Sequence, residues 1–126
     1  MFNIAKQIEY WKSGALSDIE TAEILIDKGK YIHGLFFCNL VIEKALKAHY
    51  VKTIENFAPK THDLIYLANK ANLILDKDRN LILVMLMKYQ LEGRYPDNNI
   101  SSPGEEKANE YFHQTKELLE WLIQKL

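Results

Sequence analysis

Breakers are scarce in this chain, and their scarcity constrains the fold more than any motif does. Five glycines and three prolines are spread over 126 residues, so long stretches run without a turn signal. Within them apolar residues return at three- and four-residue steps, the spacing of one helix face, rather than alternating as a half-buried strand would. The first stretch predicts a helix from about Ile4 to Asp27. Ile8, Trp11, Ala15, Ile19, Ala22 and Leu25–Ile26 form its apolar face, while Glu9, Lys12, Asp18, Glu20 and Glu23 face water. "DKGK" ends it, with Gly29 as a left-handed cap.

A second helix, about Tyr31 to Thr53, is apolar around more of its circumference. Leu35, Phe36, Phe37, Leu40, Val41, Ile42, Ala45, Leu46 and Ala48 do not fit one narrow stripe. Such a helix is central in a bundle or shared with a subunit interface. Asn39, Glu43 and Lys47 fall four apart and share one face. "NFAPKTHDL" breaks the pattern at Pro59. Thr61 is placed to cap a short third helix over Asp63 to about Ala71, with Asp63 at the positive end of its dipole. A fourth helix is predicted from about Lys77 to Glu92, then a "GRYPDNNISSPG" loop. The last helix, about Glu105 to Lys125, carries Ala108, Phe112, Leu118–Leu119 and Trp121–Leu122. The expected fold is all-α: one domain, residues 1–126, an antiparallel up-and-down bundle of four long helices plus one short helix.

Composition narrows the function classes. The formal net charge is −1, so no whole-molecule basic field gathers nucleic acid or an anionic membrane. Charge is mildly segregated: net +3 over residues 44–62 and net −2 over 101–126, histidines counted neutral. The single cysteine, Cys38, has no internal disulfide partner and sits inside "LFFCNLVI", where it reads as a small buried hydrophobe. The longest unbroken apolar run, "LILVMLM", is seven residues, against the roughly 20 needed to span a bilayer. No signal-peptide pattern opens the sequence, and a cytoplasmic location is expected.

Metal and nucleophile signals are poor. His33, His49, His62 and His113 form no HxxxH pair, and "EYFH" supplies a single Glu-x-x-His where a di-iron bundle needs two. No P-loop, GxGxxG or nucleophile elbow is present. Three clusters remain. "NLVIEKALKAHY" offers Glu43, Lys44 and Lys47, or simply an exposed i,i+4 Glu43–Lys47 pair. "PKTHDL" offers His62 at a helix start, or simply a capping network around Thr61 and Asp63. "GRYPD" offers Arg94, whose planar fork suits phosphate or carboxylate, or simply a helix stop with a surface charge.

Taken together, the early "W…A..D…A" pattern (Trp11, Ala15, Asp18, Ala22), "KGKYIHGLFFCNLVIEKALKAHYV", "PKTHDLIYLANKANL" and "EGRYPD" resemble the HEPN domain (higher eukaryotes and prokaryotes nucleotide-binding) along essentially the whole chain. The resemblance implies an antiparallel helical bundle that often forms homodimers. It also implies, as a partner, a separate minimal nucleotidyltransferase in toxin–antitoxin or related two-component modules. Many members of the family are metal-independent endoribonucleases with an Arg followed four to six residues later by a His. Here Arg94 is followed at those distances by Asn98, Asn99 and Ile100, and Arg79 by Leu83, Val84 and Met85. Asn39 and Leu40 stand where the family often has glutamines. An asparagine holds a phosphate but is no general base.

The resemblance therefore points to a dimeric nucleotide- or phosphate-binding module, with no metal or cofactor and with Arg94, Tyr95, His62, Lys44, Lys47 and Glu43 as the ligand-binding set. The alternatives are an endoribonuclease with a non-standard site, acting on RNA, and a purely structural dimerisation or adaptor domain. His62 substitutes for the missing histidine only if the fold brings it to Arg94.

Overall fold

The computed structural model describes residues 1–92 and 100–126. Five helices account for most of them: α1 Ile4–Asp27, α2 Tyr31–Ile54, α3 Leu64–Lys70, α4 Lys77–Met87 and α5 Glu105–Gln124. No strand occurs among the described residues. The all-α bundle expected from periodicity is the fold observed.

Local chemistry sets the helix ends. Asn3 caps α1 by accepting from the Lys6 backbone N–H at 3.0 Å. At the other end Gly29 takes φ 78°. The Lys30 N–H then reaches the Leu25 carbonyl and the Gly29 N–H reaches Ile26, the paired bonds of a Schellman motif. Asn72, at φ 56°, closes α3 the same way through Leu73 N–H to Ala68 and Asn72 N–H to Asn69. Asparagine is among the few side chains that tolerate this conformation.

Two boundaries differ from the sequence expectation. The α3 cap is Asp63, whose Oδ1 accepts from the Tyr66 N–H at 3.0 Å, and Thr61 instead accepts from the Asp63 N–H at 3.2 Å. The capping network is real but shifted by two residues, because a carboxylate outcompetes a hydroxyl at a helix N-terminus. Helix α4 ends at Met87, not Glu92. Lys88, Tyr89 and Gln90 make tightened three-residue bonds back to Met85, Leu86 and Met87. The Leu86 carbonyl also accepts from Asn39 Nδ2 at 3.0 Å. That partner lies on α2, too far along the chain for local pattern to reveal.

Helix α2 is the hub, packing against each of the other four. Its buried residues include Leu35, Ile42 and Leu46, which meet Leu64 and Leu67 of α3, Leu83 and Leu86 of α4 and Leu122 of α5 in one core. Helix α1 lies on α2 through small side chains. A Cβ placed on Gly34 would fall 2.5 Å from Ile26 Cγ1, so glycine is what allows that approach. Among the described residues, α1 also touches α5 but makes no close contact with α3 or α4.

Candidate functional site

The polar stripe of α2 organises the site. Asn39, Glu43 and Lys47 are all buried, although their spacing alone reads as a solvated face. Each finds a partner on a different element. Asn39 donates to the Leu86 carbonyl and accepts from Gln90 Nε2 at 3.2 Å, tying α2 to the end of α4. Lys47 Nζ lies 5.1 Å from the Trp11 ring centroid on α1 and 3.2 Å from Glu43 Oε2. Glu43 Oε1 accepts from His62 Nδ1 at 2.8 Å, on the α2–α3 connection.

The Glu43–Lys47 pair therefore exists, but not as the exposed pair the sequence suggests. Its side chains are 6% and 7% exposed. Removing two charges from water costs several kcal/mol per ion unless each is paired and hydrogen-bonded, and this pair meets that condition with help from His62 and the Trp11 face. His62 is the outward end of the arrangement, its side chain 44% exposed. Its other nitrogen, Nε2, lies 3.1 Å from Glu92 Oε2. Both carboxylates receive an N–H at once only when both ring nitrogens carry protons.

Of the residues expected to bind ligand, the fold brings Glu43, Lys47 and His62 together and turns Lys44 elsewhere. Lys44 Nζ is 2.6 Å from Asp18 Oδ2 on α1, and its Cδ lies over Gly14. Asp18, expected to face water, is thus drawn into the α1–α2 interface. Arg94 and Tyr95 lie outside the described residues. Glu92 is not in the expected set: it opens the "EGRYPD" segment of the resemblance, but nothing local marks its carboxylate as the partner of His62. Trp11 reads from the sequence as core only; its indole covers Lys47, and its buried Nε1 has no hydrogen-bond partner among the described residues.

Two buried titratable groups outside this cluster, Cys38 and His49, are structural. Burial pushes the Cys38 thiol up to about 12, against an opposing hydrogen bond from Thr115, so it is no nucleophile at neutral pH. His49 is held below its ordinary value, mainly by burial and further by Lys52 and Lys125, with its bond to the Leu122 carbonyl opposing. No group of three or more potential metal ligands occurs among the described residues, and no described helix is long and apolar enough to cross a membrane. A groove of about 480 Å³ between α4 and α5, lined by Ile82, Met85, Tyr111 and Gln114 among others, contains none of the expected site residues.

The helical bundle has counterparts among known proteins. The HEPN domain family pattern matches residues 8–126, and the chain belongs to the HEPN domain family. Among solved structures, TT1696 from Thermus thermophilus superposes with a TM-score of 0.79 at 20% identity, covering 95% of this chain and 98% of that one. ST0689, an archaeal HEPN homologue, gives a TM-score of 0.62 at 19% identity, covering 94% and 96% of the two chains. At these identities the likeness is one of fold. No curated protein matches the sequence significantly.

Proposed function

We propose that the protein is a nucleotide- or phosphate-binding module, dimeric, and working with a separate minimal nucleotidyltransferase in a toxin–antitoxin-type pair. The observation that carries this reading is the position of His62. A buried Glu43–Lys47 pair holds its ring outward, and its Nε2 meets Glu92. Arg94 follows Glu92 by two residues in the chain, and its guanidinium is of the type suited to phosphate, so on this reading Arg94 and the imidazole are the ligand's two contacts. Exposed Ile74, Leu81 and Val84, before and along α4, supply apolar surface for self-association. Calorimetric titration with AMP, ATP and inorganic phosphate tests the binding. Saturable binding is expected, abolished or strongly weakened in Arg94→Ala and weakened in His62→Ala; no binding by any of the three, with or without the nucleotidyltransferase, rejects it.

The Glu43–His62 contact also favours a second reading, a metal-independent endoribonuclease with a non-standard site. A carboxylate on one imidazole nitrogen is the arrangement that orients a general base through the other. Purified protein would then cleave RNA, and cleavage indifferent to both His62→Ala and Arg94→Ala would remove this site from consideration.

A further inference from the structure

His62 bridges two carboxylates that differ sharply in how firmly they are held. Glu43 is 6% exposed, and its second oxygen is engaged by Lys47 at 3.2 Å. Glu92 is 58% exposed and stands just beyond the tightened turn that ends α4. Its backbone N–H donates to Gln90 Oε1 at 2.8 Å, which fixes the main chain while leaving the carboxylate in water. The same imidazole thus has one permanent partner and one exchangeable partner. An exposed ion pair of this kind contributes little, because water and salt compete for both groups.

We propose that the Glu92 carboxylate occupies the anion position of the site, and that the phosphate group of a ligand binds by displacing it from His62 Nε2. This inference rests on the phosphate-binding reading and adds a built-in competitor to it. Carboxylate and phosphate oxygens are both anionic acceptors, so the exchange asks nothing new of the ring. Nδ1 stays on Glu43, and Nε2 passes its N–H from one anionic oxygen to another. Glu92 then tunes affinity downward: the empty site is satisfied internally, and only an anion that outbids an exposed carboxylate enters.

The test is a double-mutant cycle read by calorimetry. AMP and inorganic phosphate are titrated separately into wild type, Glu92→Gln, His62→Gln and the double variant. Glu92→Gln is expected to bind about two- to five-fold more tightly than wild type, the size of one released exposed ion pair. In the His62→Gln background that gain should vanish, since the competitor has nothing left to occupy. A gain of the same size without His62 would mean only that a nearby negative charge had been removed, and would overturn the exchange. So would wild-type binding with no gain in Glu92→Gln, although the binding reading would survive that result. Absence of binding by both wild type and Glu92→Gln would overturn both. AMP binding without inorganic phosphate binding assigns the anion to a nucleotide rather than free phosphate, and supports the exchange if the cycle holds for AMP. Nitrogen-15 spectra of the wild-type imidazole give a check independent of the variants. On saturation with the bound probe, the Nε2 resonance of His62 should move further than Nδ1; an unmoved Nε2 rejects displacement.

Discussion

Helix α2 and the connection that follows it position two histidines that have opposite fates. His49 is buried, and its Nε2 donates at 2.7 Å to the Leu122 carbonyl near the end of α5. One turn on, Lys52 Nζ donates to the Lys125 and Leu126 carbonyls at 2.9 and 3.1 Å. The Leu122 carbonyl is in the last turn of α5, and Lys125 and Leu126 directly follow the helix, so this end of α2 holds the C-terminal end of α5 through side chains. His62 is exposed, and its partners are carboxylates, one fixed and one exchangeable. A buried ring on a backbone acceptor has no reason to change partners; an exposed ring between two anions does. Burial and the chemistry of the acceptor, rather than the residue type, separate the structural histidine from the candidate functional one.

The sharpest way to break this comparison is to remove the carboxylate beneath His62. Glu43→Ala leaves the Lys47 ammonium buried with only the Trp11 face to answer it. Orphaning one partner of a buried ion pair costs roughly 3–5 kcal/mol. Urea denaturation should show a loss of that size. A change below about 1 kcal/mol would mean that the pair is solvated and that His62 has no fixed support.

The next effect concerns His49. Its folded-state value is lowered, so both folded and unfolded chains carry it neutral well above pH 6.5. As pH falls through that range the unfolded chain takes up the proton first, and stability declines until the folded-state value is passed. Wild type should therefore lose stability from about pH 7 downward relative to His49→Gln, with a contribution from this group of at most ~1.4 kcal/mol per pH unit. At neutral pH the variant itself should be less stable by about 1 kcal/mol, the net worth of one hydrogen bond to a carbonyl that keeps the Lys125 N–H as a second donor. Denaturation curves for both proteins between about pH 5 and 8 measure both effects, and parallel pH profiles would show that His49 titrates as it does unfolded.

How much of this was legible before the structure varies with the range of the interaction. Helix α1 is readable to its ends because Asn3 and Gly29 act within a few residues of themselves. The central role of α2 is readable from its apolar circumference. The end of α4 is not, because Asn39 takes the Leu86 carbonyl from a different helix. The Glu43–Lys47 spacing predicts the pair but not its burial, since i,i+4 geometry is the same on a wet face and a dry one. The site divides along the same line: Glu43, Lys47 and His62 are candidates by sequence, yet their convergence depends on how the α2–α3 connection folds back. Lys44 joins them by chain proximity alone, and a helix turns adjacent residues by about 100°. The family resemblance supplies the fold and the interest in Arg94, while the absent histidine after Arg94 leaves the chemistry open.

The smallest expected effect on stability is the most informative about function. In His62→Ala the Glu43 carboxylate keeps Lys47 at 3.2 Å, and what is lost is a half-exposed ring, whose 2.8 Å bond to Glu43 Oε1 water replaces once the ring is gone, together with a contact to an exposed carboxylate. The folding cost should be under ~1 kcal/mol, the range of exposed pairs, against the several kcal/mol expected for Glu43→Ala. Paired denaturation and AMP-titration experiments on the two variants then separate their roles. His62→Ala should keep nearly full stability while losing affinity, as expected of a group that meets the ligand. Should it instead destabilise the fold as much as Glu43→Ala does, His62 would join His49 as a structural residue, and the contrast between the two histidines would collapse.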